Sequence, residues 1–292
     1  MNPRECDALL KMALAEDAAR NDITSRSVIP QNSRIKVAIL AKELGVLAGI
    51  ELAARVFKLQ DHNLSARTLK KDGSAIKPRQ AVLTVEGNTR SIFAAERVAL
   101  NFLGHLCGIA TLTHAYVRQV RGTRAQIFDT RKTLPGLRLL EKYAVRVGGG
   151  LSHRMGLHDA VLIKTNHLRA LARPPSTVHG PQMIHEAMEH ARQVTPKRFI
   201  EVEVTDLDEF RAALYARPNA ILLDNWPVRN IRQAVLIKKS AIRSSQSAIL
   251  LEVSGGVTLA NVRAIAATGI DRISIGRLTH SAPSLDVSLR VI

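Results

Sequence analysis

Residues 220–256 read AILLDNWPVRNIRQAVLIKKSAIRSSQSAILLEVSGG. A short apolar run ends in Asp224 and Asn225. An amphipathic helical pattern follows over Val228–Lys239, and a second apolar run ends in Glu252, Ser254, Gly255 and Gly256. Strand, helix, strand in this order joins parallel strands, because parallel neighbours need a long crossover. The unit repeats outward in both directions. AQIFD (125–129), AVLIK (160–164), FIEVEV (199–204) and RISIG (272–276) are further strand candidates. MIHEAMEHARQV (183–194), LDEFRAALYA (207–216) and LANVRAIAATG (259–269) are further helices. About six such units favour an incomplete α/β barrel over a doubly wound sheet. No Gly-x-Gly-x-x-Gly follows a strand, and no phosphate-binding P-loop pattern occurs.

The N-terminal third has a different grammar. Residues 2–17 and 51–61 are amphipathic helices, and 35–49 reads as a strand and turn. Residues 68–87 hold short apolar runs around Asp72-Gly73 and Lys77-Pro78, the pattern of small antiparallel strands. The Ala- and Leu-rich stretch 94–120 predicts one long helix leading into the second region.

Composition narrows the function. The chain has 292 residues, 46% hydrophobic and 23% charged, so it is globular. Two cysteines exclude a disulfide framework. The N-terminus lacks the basic-then-apolar order of a signal peptide, and no apolar run approaches the roughly 18 residues that span a bilayer. A cytoplasmic setting without a membrane partner is expected. The net charge of +17 suits either nucleic acid or small anionic substrates. One Trp and three Tyr, scattered rather than set among the basic residues, offer no base-stacking platform, so specific nucleic-acid binding is the weaker reading.

In α/β barrels the chemistry sits at the C-terminal ends of strands. Here those ends carry Asp129, Arg131 and Lys132; Lys164, Asn166 and His167; Glu201 and Glu203; Asp224 and Asn225; Glu252 and Ser254 to Gly256; and Gly276. In FIEVEV the side chains alternate, so Glu201 and Glu203 share one face while Ile200, Val202 and Val204 turn to the helices. Carboxylates pointing into a barrel need compensation, and Arg131, Lys132, Arg154 and Lys164 are the expected cations. A solvated surface strand is the competing reading. The Gly255-Gly256 pair before a helical pattern suits a phosphate, and equally an ordinary barrel turn. Together the strand ends suggest a polyanionic substrate.

The segments DTRKTLPGLRLLEKYAVRVGGGLSHRMGLHDAVLIKTNH (129–167), EVEVTDLDEF (201–210), ILLDN (221–225) and LEVSGGVTLANVRAIAATGIDRISIG (251–276) resemble the quinolinate phosphoribosyltransferase family. ERVALNFLGHLCGIATLT (96–113) and LTHSAPSLDVSL (278–289) extend the likeness over nearly the whole chain. The resemblance implies an α/β fold: an N-terminal α/β sandwich-like domain (1–108, rejoined by 278–292) and an open α/β barrel of the type II phosphoribosyltransferase kind (109–277). It implies decarboxylating transfer of phosphoribose from phosphoribosyl pyrophosphate to quinolinate with Mg²⁺, in de novo NAD biosynthesis. It further implies a homodimer, or a hexamer of dimers, with shared sites.

The resemblance also assigns roles. Arg131, Arg154 and Lys164 would bind the two carboxylates of quinolinate, with Arg97 from the partner chain. Thr130 and Lys132 would contact substrate, and His153 would orient its neighbours. Lys132, His153, Lys164, Glu203 and Asp224 form the catalytic set, and Glu203 and Asp224 would hold ribose hydroxyls and Mg²⁺. Ser254, Gly255 and Gly256 would cradle the 5′-phosphate, with Gly276 close by. A paralogue of the same fold with another acceptor, such as a molybdenum-transport-associated homologue, is the alternative. Four departures from the family's pattern stand out: Asn21 before Asp22, Thr165 where an acid is usual, an insertion at Ala172–Gln182, and Arg277 beside Gly276, where a small residue or Lys is more usual. His105 and His280 read as structural, Glu201 and Glu252 as interior partners of Lys and Arg. Arg138, Lys142 and Arg146, spaced at four, read as a solvated or interface helix face.

Overall fold

A computed structural model describes residues 2–172, 180–241 and 249–292, apart from the side chains of Arg20 and Pro181. In chain order the elements are α1 (Asp7–Glu16), α2 (Ile23–Val28), β1 (Arg34–Ala41), β2 (Gly45–Val46), α3 (Ile50–Gln60), β3 (Ser65–Thr68), β4 (Ala75–Ile76), β5 (Ala81–Asn88) and α4 (Thr89–Gln119). Then come β6 (Gln126–Phe128), α5 (Arg138–Val147), β7 (Val161–Ile163), α6 (Thr165–Leu171), α7 (Pro181–Val194), β8 (Ile200–Val204) and α8 (Leu207–Ala216). The last are β9 (Ala220–Asp224), α9 (Val228–Ala241), β10 (Leu250–Ser254), α10 (Val262–Ala266), β11 (Arg272–Ser274), α11 (Arg277–His280) and β12 (Val287–Val291). Most of the insertion at 172–182 lies outside the described residues.

The chain forms two compact units. The first comprises 1–114, 132–149 and 277–292. Its antiparallel sheet has the order β12-β1-β5-β3, with the chain's end paired to β1 at Val37 and Val291. α3 buries Leu52, Ala53, Val56 and Phe57. The Asp72 carboxylate accepts the Gly49 and Ile50 N–H groups at 2.8 and 3.0 Å, which caps the start of α3. Gly108 admits the returning chain, because a Cβ there would lie 2.0 Å from the Pro283 carbonyl oxygen.

The first unit also takes in 132–149. The reason is close packing of α5 and its C-terminus against α4. A Cβ on Gly148 would meet the Ala110 oxygen at 2.5 Å, Glu141 lies 2.9 Å from His105, and the Tyr143 hydroxyl donates to Asp72 at 2.6 Å. The same packing corrects the reading of Lys142 as part of a solvated or interface face: Lys142 is fully buried, while Arg138 is half-buried and Arg146 exposed. α4 has the length and apolarity of a membrane span, but 67% of its apolar window is buried within the protein, as in a core helix.

The second unit comprises 115–131 and 150–276. Its six parallel strands run β6-β11-β10-β9-β8-β7, an open sheet with edges at β6 and β7. Val202, Val204, Ile221, Leu251, Val253 and Ile273 are buried on one face, and Glu201, Ala220, Leu222 and Glu252 on the other, so both faces are covered, as an α/β sheet requires. The Trp226 indole N–H donates to the Val204 carbonyl at 3.1 Å and stands edge-on to Phe210, which fixes the chain just past β9.

Candidate active site

Asp129 directly follows β6 and is wholly buried. The segment that follows the glycine run lies alongside β6, with hydrogen bonds from Leu151 N to Ile127 O (2.8 Å) and from Asp129 N to Leu151 O (3.0 Å). The Asp129 carboxylate then accepts the His153 N–H at 2.8 Å. Gly149, at φ +92°, makes the turn that allows this return. Arg131 and Arg154 are thereby brought near one another. Burial first, and then the Arg131 charge, lower the Arg154 pKa below its ordinary value. Arg131 Nε is buried without a hydrogen-bond acceptor among the described residues. Two converging guanidiniums of this kind suit a dianion.

The next strand ends carry oxygen donors. Glu203 Oε1 accepts from the Thr165 backbone N–H (3.1 Å) and hydroxyl (2.9 Å) at the start of α6. Asp224 Oδ2 accepts from the Asn225 side chain at 3.0 Å. Both carboxylates are half-buried, and these bonds engage one oxygen of each. Such hard oxygen donors, partly open to water, fit Mg²⁺ or ribose hydroxyls. Lys164 is exposed at the N-cap of α6, where its backbone N–H donates to His167 Nδ1 at 2.9 Å.

At the end of β10, Gly255 and Gly256 have φ of +86° and +61°. A Cβ on Gly255 would lie 2.2 Å from Asn225 Oδ1, so the Gly255 backbone packs directly against the Asn225 side chain. Asn225 itself takes φ +58°, and its N–H donates to the Ser254 carbonyl at 2.9 Å. Expectation and structure differ here: the following helix begins only at Val262 and has five residues. A phosphate would meet the N–H groups of a left-handed glycine turn rather than a helix N-terminus. The Ser254 hydroxyl donates to the Ser274 carbonyl at 3.4 Å, which joins β10 to β11 just before Gly276.

Two family models match the chain: the N-terminal domain of quinolinate phosphoribosyl transferase over residues 22–107, and its C-terminal domain over 109–290. The chain belongs to the quinolinate phosphoribosyl transferase family. It is 41% identical to the nicotinate-nucleotide pyrophosphorylase [carboxylating] of Mycobacterium leprae, over 96% of this chain and 95% of that one. The solved structure of NadC from Streptococcus pyogenes superposes with a TM-score of 0.89 at 38% identity, covering 100% of this chain and 99% of that one. The nicotinate-nucleotide pyrophosphorylase of Francisella tularensis gives 0.88 at 35%, covering 100% and 98%. These neighbours share the architecture of an N-terminal α/β domain and an α/β barrel.

Within this family member, the second unit carries Thr130, Arg131, His153, Arg154, Lys164, Glu203, Asp224, Ser254, Gly255, Gly256 and Gly276. Lys132 and Arg97 belong to the first unit, and both are exposed. The Lys132 carbonyl accepts the buried Thr279 hydroxyl at 2.6 Å. Arg97 shares a face of α4 with Asn101 and His105, at intervals of four residues. Glu201 is buried as its strand parity requires, and of the expected cations Arg154 lies within reach of its charge, but its hydrogen-bond partner is another residue. His153 Nε2 lies 2.9 Å from Glu201 Oε2. Asn225, Thr165 and Asp129 shape the site, although strand-end position alone assigned none of them a specific role. The only prior signal for Asn225 is its place directly after a strand-end Asp, where Asn tolerates the left-handed conformation.

Proposed function

We propose that the protein transfers phosphoribose from phosphoribosyl pyrophosphate to quinolinate, releasing pyrophosphate and CO2 and forming nicotinate mononucleotide. The observation that carries this reading is the grouping, within one parallel sheet, of two converging guanidiniums, two half-buried carboxylates and a left-handed glycine turn. Arg131 and Arg154, with Lys164, bind the two carboxylates of quinolinate. Ser254, Gly255 and Gly256 receive the 5′-phosphate, with Gly276 and Thr130 nearby. Glu203 and Asp224 hold the ribose hydroxyls and the Mg²⁺ that accompanies pyrophosphate. When bound, that ion neutralises charge on the departing pyrophosphate. Lys132 contributes a further cation toward substrate or pyrophosphate.

The pyridine nitrogen forms its bond to the ribose carbon as the bond to pyrophosphate breaks. The ring is then cationic, and the electron pair left at C2 when CO2 departs is stabilised by it. A proton replaces the carboxyl group. The protein's main work is to hold anions in register, which is an electrostatic and positional contribution. Arg97 would reach the site of a partner chain, so a homodimer is the smallest working form, alone or within a hexamer. The free, buried Cys6 and Cys107 suit a reducing cytoplasm.

Release of labelled CO2 from carboxyl-labelled quinolinate, dependent on phosphoribosyl pyrophosphate and Mg²⁺, is the expected result. No release at saturating substrates, or turnover of nicotinate instead, would sink this assignment.

A further inference from the structure

Both ring nitrogens of His153 are engaged inside the second unit. The backbone N–H of Arg154 donates to Nδ1 at 2.8 Å, so Nδ1 offers a lone pair and carries no proton. The ring proton of the neutral imidazole therefore sits on Nε2, which lies 2.9 Å from Glu201 Oε2 and 3.5 Å from Glu252 Oε1. Glu201 and Glu252 are 1% and 0% exposed. On the other side, the His153 N–H is held by Asp129.

We propose that Glu201 is a positioning residue: it accepts the Nε2–H of His153, fixes one tautomer and one ring plane, and through Nδ1 sets the backbone from which Arg154 reaches the substrate. The inference rests on the assignment of Arg154 as a ligand of quinolinate. It gives His153 the role of a link, with no ring nitrogen left to exchange a proton with the pyridine ring.

Further observations support it. The Arg154 guanidinium also donates to the Ala160 carbonyl at 2.9 Å, so backbone and side chain of this residue are both anchored. His153 and Arg154 line a cavity of about 230 Å³ with Phe128 and Arg272. Arg272 sits over the Phe128 and Phe199 rings at 4.9 and 5.1 Å, with a nitrogen 3.9 Å from Glu252 Oε2. Glu252 is raised above the usual carboxylate range by burial and by Glu201, and it lies farther from Nε2 than Glu201 does, at 3.5 against 2.9 Å. The ligand atoms of His153, Glu201 and Glu252 lie within 4.8 Å of one another, which is also a spacing for a metal ion. A metal would need the Nε2 lone pair, and the Arg154 bond at Nδ1 places the proton there instead.

The test is nitrogen NMR of protein labelled at histidine, with the His153 signals assigned by their loss in His153→Gln. The wild-type spectrum should show the Nε2–H tautomer before and after quinolinate is added. Glu201→Leu should give tautomer averaging and a quinolinate KM raised by about tenfold, the scale of an unsatisfied buried donor, with the KM for phosphoribosyl pyrophosphate unchanged. Glu201→Gln keeps an acceptor oxygen and should restore the tautomer and most of the KM. An imidazolium or Nδ1–H spectrum in the wild-type protein overturns the proposal, as does loss of the Nε2 proton on adding Zn²⁺. The wild-type spectrum decides even if Glu201→Leu does not fold. It also decides if quinolinate proves not to be a substrate, so the two readings fail separately.

Discussion

Thr165 donates both its N–H and its hydroxyl to Glu203 Oε1, at 3.1 and 2.9 Å. The residue looked like a departure from the family's pattern, since it removes an acid beside Lys164. In the structure it holds one oxygen of Glu203 and leaves the other for ligand. Thr165→Val deletes one of the two bonds and keeps the shape. A loss of about 1 kcal/mol in positioning Glu203 is expected, seen as a roughly fivefold higher KM for phosphoribosyl pyrophosphate in steady-state kinetics. Glu252 makes a stability prediction. Its pKa is pushed up to about 8 from 4.5 by burial and by Glu201. A raised carboxyl favours folding fully below its unfolded value, and that contribution is lost as pH rises towards its folded value. Glu252→Gln removes this dependence. Thermal melts should therefore show a gain over wild type that is small near pH 4.5, grows to about pH 8 and is flat above it. At this scale strand parity put Glu201 and Glu203 on one face correctly. It could not identify the partner of Glu201, because His153 is 48 residues away and is chosen by the route of the chain.

The strands of the barrel were legible because each is a short apolar run with a polar end, and their pairing follows from the crossovers between them. Helix ends and helix faces were less so. The four-residue spacing of Arg138, Lys142 and Arg146 defines one side of α5, but spacing does not say what that side meets. Packing against α4 at Gly148 puts Lys142 wholly inside. Likewise the Gly255-Gly256 pair looked like a helix start, while α10 begins six residues after Gly256. The glycines are required by left-handed φ and by the close approach of Asn225. Gly255→Ala tests this element. A Cβ there must displace Asn225 or the turn, and the φ of +86° adds strain of about 1 kcal/mol. The expected result, read by calorimetric titration, is a folded protein whose affinity for phosphoribosyl pyrophosphate falls by about tenfold or more. Unchanged affinity would remove the phosphate from this turn.

The whole chain carries +17, and its basic residues are spread through both units rather than gathered in a tail. That distribution fits an enzyme whose two substrates are both polyanions, since a positive field raises their encounter rate. Charge alone does not set the assembly. The decisive residue is Arg97, which stands exposed on α4 in the first unit, whereas Lys164 and the glycine turn belong to the second. If Arg97 serves the site of a neighbouring chain, each site needs two chains. Arg97→Ala and Lys164→Ala proteins should each be nearly inactive. In a hybrid dimer, one site combines the intact Lys164 of one chain with the intact Arg97 of the other, and the second site lacks both. Random exchange of equal amounts makes half the dimers hybrid with one good site each, so roughly a quarter of wild-type activity should return. The check is quinolinate turnover before and after mixing, with subunit exchange followed by mass spectrometry of the intact dimers. Full exchange without any recovery would mean that Arg97 acts within its own chain, and the monomer would then hold a complete site.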